Sequence, residues 1–310
     1  DVFFNLSLAN SSGYDEIFTN AGKIENKGME VDLGYDIFQT EDFKINLTAN
    51  WSYYRNKVLD LKGVESIRLG GLSAVSGRAV EGYPLGVFWG TKFSRNDDGS
   101  IFLNSNGFPT LAPENGVIGD PHPDWQGGVG TTVTWKNLNL YFLFETYQGA
   151  DIYAGTKAVL LNYGRHRDSG VETVAEKDLF DYNGGLITSG TSFRGTVHDF
   201  GAGDVALTES WYRGIGGYFS GVQEQFVEDG SWTRLREVTL SYSLRGPRFK
   251  KSTKLSSIDF SLTGRNLHIW TNFIGNDPDT NLTEVSTTRG IDYFNNPGTK
   301  SYVFKITLNY

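Results

Sequence analysis

The closing stretch SYVFKITLNY, residues 301–310, alternates without a break. Tyr302, Phe304, Ile306, Leu308 and Tyr310 fall on one parity, while Ser301, Lys305, Thr307 and Asn309 share the other with Val303. A period of two places successive side chains on opposite faces of a strand, so this segment is a strand with one apolar face. Its last residue is an aromatic on that face, where a frayed terminus would be polar. The solvent that the apolar face meets therefore decides the fold.

The same period runs through the chain. In MEVDLGYDI, Met29, Val31, Leu33, Tyr35 and Ile37 oppose Glu30, Asp32, Gly34 and Asp36. After the short link FQTE, Phe43, Ile45, Leu47, Ala49, Trp51 and Tyr53 oppose Lys44, Asn46, Thr48, Asn50 and Ser52, which predicts a hairpin. Trp125, Val129, Thr131, Val133 and Trp135 form another apolar set, and a tight turn at Lys136–Asn137 leads into Leu138, Leu140, Phe142 and Phe144. Val238, Leu240, Tyr242 and Leu244 alternate likewise, as do Ile258, Phe260 and Leu262 before the pattern blurs at Asn266 and His268. With the opening segment and two short runs within 85–105, the reading is all-β with about ten strands.

Composition narrows the solvent question. The 310 residues are 38% apolar and 14% aromatic, with 38 glycines, and no apolar run is long enough for a transmembrane helix. A membrane-spanning strand needs only about 9–11 alternating residues. Cysteine is absent, which excludes a disulfide framework and a thiolate nucleophile. The net charge of −8 argues against nucleic acid, and the densest basic stretch is RGPRFKKSTK at 245–254. The chain opens at Asp1 inside a strand pattern, which reads as a mature or truncated piece whose signal peptide lies elsewhere.

Connections alternate in length. Tight or moderate links near 39–42, 136–137 and 245–256 alternate with long ones near 9–25, 57–84, 106–124, 151–229 and 271–298. Short turns at one end and long loops at the other characterise antiparallel transmembrane barrels. Trp51, Trp89, Trp125, Trp135, Trp232 and Trp270 all carry the parity of the apolar face, mostly near strand ends. Interfacial girdles of a bilayer are predicted to look like this. The competing reading is a soluble β-sandwich, whose core tryptophans would cluster at strand centres. In a closed barrel the final strand must pair with the first.

The stretch TNAGKIENKGMEVDLGYDI, residues 19–37, resembles the SusC/RagA family of TonB-dependent outer-membrane transporters of Bacteroidota. IGDPHPDWQGGV, WTRLREVTLSYSL, LTGRNLHIWTNFIGNDPDTN and PGTKSYVFKITLNY agree as well, in the family's order. The resemblance implies the C-terminal part of a TonB-dependent receptor barrel over residues 1–310, with the N-terminal extension, plug and TonB box absent from this stretch. Barrels of this kind have about 22 strands, more than this chain supplies. Implied too are active import of a large nutrient, glycans first and peptides next, a SusD-like surface lipoprotein as partner, and energy through TonB. The terminal set Tyr302 to Tyr310 is similar to the signal that barrel-assembly machinery reads.

No catalytic constellation emerges. His122, His166, His198 and His268 lack the spacing of a metal-binding helix and read as polar loop or strand surface. GAGDVA at 201–206 matches a dinucleotide fingerprint only by letters, without a βαβ context. Asp277, Asp279 and Asn281 imitate the start of a calcium loop, but Leu282 stands where the sharp turn needs glycine. No cofactor or metal is expected. The polar parity, including Glu30, Asp32, Asp36, Lys44, Lys136, Glu145, Glu237, Asp259, Arg265 and Lys305, is expected to face the lumen. WYRGIGGYFSG offers Trp211, Tyr212, Tyr218 and Phe219 among glycines in the longest connection, as candidate contacts to substrate or lid. The rival reading of these rings is that they fold the loop on itself. Rival functions are an outer-membrane barrel enzyme, an adhesin, or a soluble carbohydrate-binding module.

Overall fold

In a computed structural model of the chain, which describes residues 2–7, 10–282 and 288–310, the alternating segments form one antiparallel sheet. Its eight strands are β1 (Val2–Ser7), β2 (Glu16–Gln39), β3 (Phe43–Asp60), β4 (Trp125–Trp135), β5 (Leu138–Gln148), β6 (Trp232–Arg245), β7 (Ser257–Thr271) and β8 (Ser301–Asn309). Each lies beside its neighbours in this series, the meander of a barrel wall. β1 and β8 stand at the two edges and do not pair with each other.

Ten strands were expected and eight are present in this sheet. The difference lies in residues 85–105. Val87–Gly90 instead joins Ser66–Gly71, Ser76–Val80 and Gly116–Gly119 in a separate four-stranded sheet, and Ile101 and Leu103 make isolated bridges. Val87 and Phe88 are consecutive, so they point to opposite faces, and both are fully buried, whereas the eight-stranded sheet leaves its apolar face exposed.

Connections at 40–42 and 136–137 are tight, and 246–256 holds one short helix, α1 (Pro247–Thr253). All three lie at one end of the sheet. At the other end, 61–124, 149–231 and 272–300 are long.

The apolar faces of the strands are not a protein core. Leu33 is 64% exposed, Leu262 52% and Phe304 64%, and Phe260 and Ile306 are register partners on the same face. The buried core lies in the long connections instead, where Phe88, Phe108, Tyr153, Trp211, Phe226 and Ile291 pack together. Glycine-rich strand surfaces and aromatic loops thus exchange the roles they have in a soluble sandwich.

Trp51, Trp125, Trp135 and Trp270 stand on the outward face with 38%, 38%, 57% and 49% of their surface exposed. Trp135 is at the short-turn end, the other three toward the loop end. From Trp125 to Trp135 the strand rises about 33 Å, which a tilt of about 40° reduces to about 25 Å.

Two tryptophans depart from that expectation. Trp89 lies in the four-stranded loop sheet, its ring beneath the Arg78 guanidinium at 5.0 Å. Trp232 turns to the lumen side, 6% exposed and stacked on Tyr147 at 5.9 Å. A β-bulge is the cause. Leu235 pairs with Phe144 and Glu237 with Leu143, so Arg236 is an extra residue and every position before it changes face.

Candidate functional site

The three long connections form a single folded cap. Trp211, Tyr212 and Tyr218 are 3%, 5% and 5% exposed. Phe108, Tyr182 and Phe200 surround the Trp211 indole with centroids 5.6, 5.7 and 5.3 Å away, drawing in residues from two connections. The Tyr212 hydroxyl meets Thr196 Oγ1 at 3.1 Å, and the Tyr153 hydroxyl donates to Gln223 Oε1. Burial pushes the Tyr153 and Tyr218 phenols far above their usual range. These rings fold the cap on itself, and Trp211, Tyr212 and Tyr218 all belong to its buried core. Phe219 keeps an open face, 63% exposed, edge-on to Tyr163 at 5.9 Å. Tyr163 escaped the sequence reading because it follows a helix, Gly155–Asn162, that carries no strong apolar stripe.

The glycines of WYRGIGGYFSG now have a reason. A Cβ on Gly216 would strike the Trp211 indole, and one on Gly217 the carbonyl of Tyr212. The chain wraps directly over its own aromatic core.

Where the cap meets the barrel wall, arginines organise the carboxylates. Arg234 Nη2 donates to Asp277 Oδ1 at 2.6 Å, with the side chains 5% and 8% exposed. Arg236 donates to Glu145 at 2.5 Å, to Asn266 at 3.0 Å and to Asp279 at 3.3 Å. The guanidiniums of Arg234 and Arg236 lie 5.2 and 5.7 Å from the Trp232 ring, and Arg289 covers Tyr147. Asp277 also accepts the Asp279 backbone N–H at 3.0 Å and its carbonyl holds Thr280. The calcium-like spacing thus builds a turn clamped by arginine. No cluster of three metal-ligating side chains occurs among the described residues.

Lower on the wall the expected lumenal charges are mostly paired across strands. Lys44 meets Asp36 at 2.9 Å, Arg265 donates to Glu237 at 2.9 Å, and Asn309 donates to Asp259 at 2.6 Å. The Tyr54 hydroxyl donates to Glu30, and Lys136 reaches Asp42 at 3.6 Å beside the turn. Asp32 and Lys305 lie opposite Asn50 and Ser261. At the mouth, a small cleft of about 140 Å³ gathers Asn26, Tyr54, Asn56, His122 and Arg289, with His122 Nδ1 2.6 Å from Asp120. His166 likewise lies beside Asp168, at 3.5 Å.

Asp151 and Asp292 are among the cap carboxyls that burial raises. Burial pushes Asp151 up against the lowering effect of the Asp120 backbone N–H, and burial pushes Asp292 up against a hydrogen bond from Thr156. Asp292 is 2% exposed and its Oδ1 has no hydrogen-bond partner among the described residues.

A meander with an apolar outside, a charge-paired inside, tight turns at one end and a folded cap at the other is the pattern expected of part of an outer-membrane β-barrel wall. Comparison with known proteins agrees. No protein-family model matches the chain. It is 26% identical to TonB-dependent receptor P26 of Formosa agariphila, over 90% of the chain and 28% of that protein. To TonB-dependent receptor P3 of the same organism it is 23% identical, over 100% of the chain and 31% of that protein. Among solved structures, a chain of the RagAB peptide importer in its closed-closed state superposes with a TM-score of 0.66 at 19% identity, covering 99% of this chain and 32% of that one. The chain is therefore similar to TonB-dependent receptors in sequence and to a RagAB chain in fold. It spans less than a third of the length of these relatives.

Proposed function

We propose that the chain forms the C-terminal part of the barrel of an outer-membrane, TonB-dependent nutrient importer. The observation that carries this reading is the wall itself: outward apolar strand faces left exposed, bounded by tryptophans about 25 Å apart along the barrel axis, the height of a bilayer's apolar band. The cap then lies on the extracellular side and the tight turns in the periplasm.

Its mechanism is binding followed by gated passage, without covalent catalysis. The paired lumenal charges present a nearly neutral wall, which suits large neutral or mixed-charge cargo: oligosaccharides first, peptides next. The peptide alternative draws on the RagAB likeness, which at 19% identity concerns fold. A SusD-like lipoprotein serves as lid over the cap, and a plug and TonB box upstream supply gating and energy. The final set Tyr302, Phe304, Ile306, Leu308 and Tyr310 is the segment that barrel-assembly machinery grips.

The test is the intact mass of the native protein from purified outer membranes, with peptide mapping. Peptides upstream of Asp1 and a mass several times 34.4 kDa support the importer. A native mass near 34.4 kDa, or recovery from the soluble fraction, refutes it.

A further inference from the structure

The connection 149–231 holds a second concave feature away from the barrel wall. A cleft of about 380 Å³ is lined by Asn162, Tyr163, Arg165, Arg194, Glu209 and Arg213, with Tyr212 at its side. Each arginine is placed by a separate local device. The helix Gly155–Asn162 reverses at Gly164, whose φ of 64° suits glycine, and the N–H groups of Arg165 and His166 both return to the Leu160 carbonyl at 2.7 and 3.1 Å. Arg194 ends the Ser192–Arg194 strand, which pairs with Glu172–Val174. Arg213 ends a short helix, Glu209–Arg213.

The charge balance is unusual for a chain with a net charge of −8. Three guanidiniums face one carboxylate across the cleft. Glu209 is engaged by Arg213 at 3.1 Å, while Asp168 nearby is held by Arg167 and His166. Arg165 and Arg194 make no ion pair among the described residues; Glu172 sits opposite Arg194 in register without bridging to it. Like charges gathered in a concavity repel one another unless an anion joins them, and the guanidinium fork matches the paired oxygens of a carboxylate or sulfate. At the mouth, Tyr163 is 61% exposed beside the open face of Phe219.

We propose that this cleft binds an oxyanion, a carboxylate or sulfate ester, carried on a soluble cargo chain whose flat apolar face rests on Tyr163 and Phe219. The size favours a ligand over a flat protein partner, since small-ligand pockets enclose about 300–1,000 Å³. The inference rests on the importer reading for the word cargo, but the binding itself is measurable apart from transport.

The experiment is calorimetric titration of the full-length protein, purified in detergent, with three probes: a dextran sulfate oligosaccharide, an oligoglutamate and a neutral dextran oligosaccharide. At least one anionic probe is expected to bind, more weakly as salt rises, and the neutral probe not to. Arg165→Ala or Arg194→Ala should weaken that binding at least tenfold, Arg194→Lys less, and Glu209→Gln should tighten it. Preference for sulfate or for glutamate identifies the carrier. All three positions are exposed, so retained heat-modifiable migration of each variant shows that the barrel folds. The proposal is overturned if neither anionic probe exceeds the neutral one, or if the arginine variants bind unchanged. It is also overturned if those variants lose a co-purified SusD-like lipoprotein while probe binding persists. Anion binding by a protein recovered outside the membrane would leave the cleft standing and remove the importer.

Discussion

Arg234 is the residue on which the join of cap and wall depends. It is 4% exposed, its partner Asp277 6%, and they come from β6 and the 272–300 connection. Removing one partner leaves a buried charge uncompensated, at a cost of about 3–5 kcal/mol. Arg234→Ala and Asp277→Ala should each lower the melting temperature in detergent substantially, and Arg234→Met with Asp277→Leu should be less harmful than either single change. Equal additive losses in that cycle would refute the coupling.

Asp292 gives a pH dependence. Its folded carboxyl titrates above the unfolded value, so the folded cap holds the proton more tightly. Stability from that group is present at low pH and is lost as pH rises from the ordinary carboxylate range through the raised folded value. Asp292→Asn should therefore stabilise the cap above that window and remove this part of the pH slope, read by thermal melts of Trp fluorescence across pH. A destabilised Asn variant at neutral pH would count against it.

Among elements, β6 is the informative one. Its single bulge at Arg236 allows Val238, Leu240, Tyr242 and Leu244 to face outward while Trp232 and Arg234 face inward. Deleting Arg236 would restore a regular strand, with Leu235 still opposite Phe144, Glu237 opposite Leu143, and Trp232 and Arg234 still inward. The expected outcome is a heat-modifiable folded band on gels for the deletion as for Arg236→Ala; loss of the band in the deletion alone would mean that the wall needs the bulge itself. The bulge also shows why the sequence misplaces Trp232: parity counted from Leu244 backwards assumes no inserted residue. Trp125, Trp135, Trp51 and Trp270 were legible because no single-residue insertion separates them from their strand's apolar set; β7 departs by two residues at its own irregularity, which restores parity.

Across the whole molecule, burial is inverted. Outward strand residues are exposed to whatever surrounds the barrel, and the dense aromatic core belongs to connections. Depth then sets the cost of a charge. Phe142, paired with Thr131 and Val238, lies midway between the two tryptophan levels. Phe142→Arg should cost about 2–4 kcal/mol, and Trp135→Arg at the boundary about 0–1 kcal/mol from the charge itself. Unfolding from lipid vesicles by guanidinium measures both. Similar small costs at both positions would mean that this face is not in lipid.

The sequence by itself determined the strand faces except those before the Arg236 bulge, the length asymmetry of the connections and the resemblance on which the comparisons agree. These follow from local rules: a period of two, tight turns such as Lys136–Asn137, and ordered motifs from IGDPHPDW to SYVFKITLNY. Only the tertiary structure decided what the loops do. Val87 and Phe88 left the barrel, Trp211 and Tyr218 became core, and Arg165, Arg194 and Arg213 came to one cleft. The reason is physical. Face alternation is fixed by the geometry of neighbouring residues, whereas burial in the cap depends on contacts between connections more than a hundred residues apart, such as Phe108 with Trp211, which no local periodicity encodes.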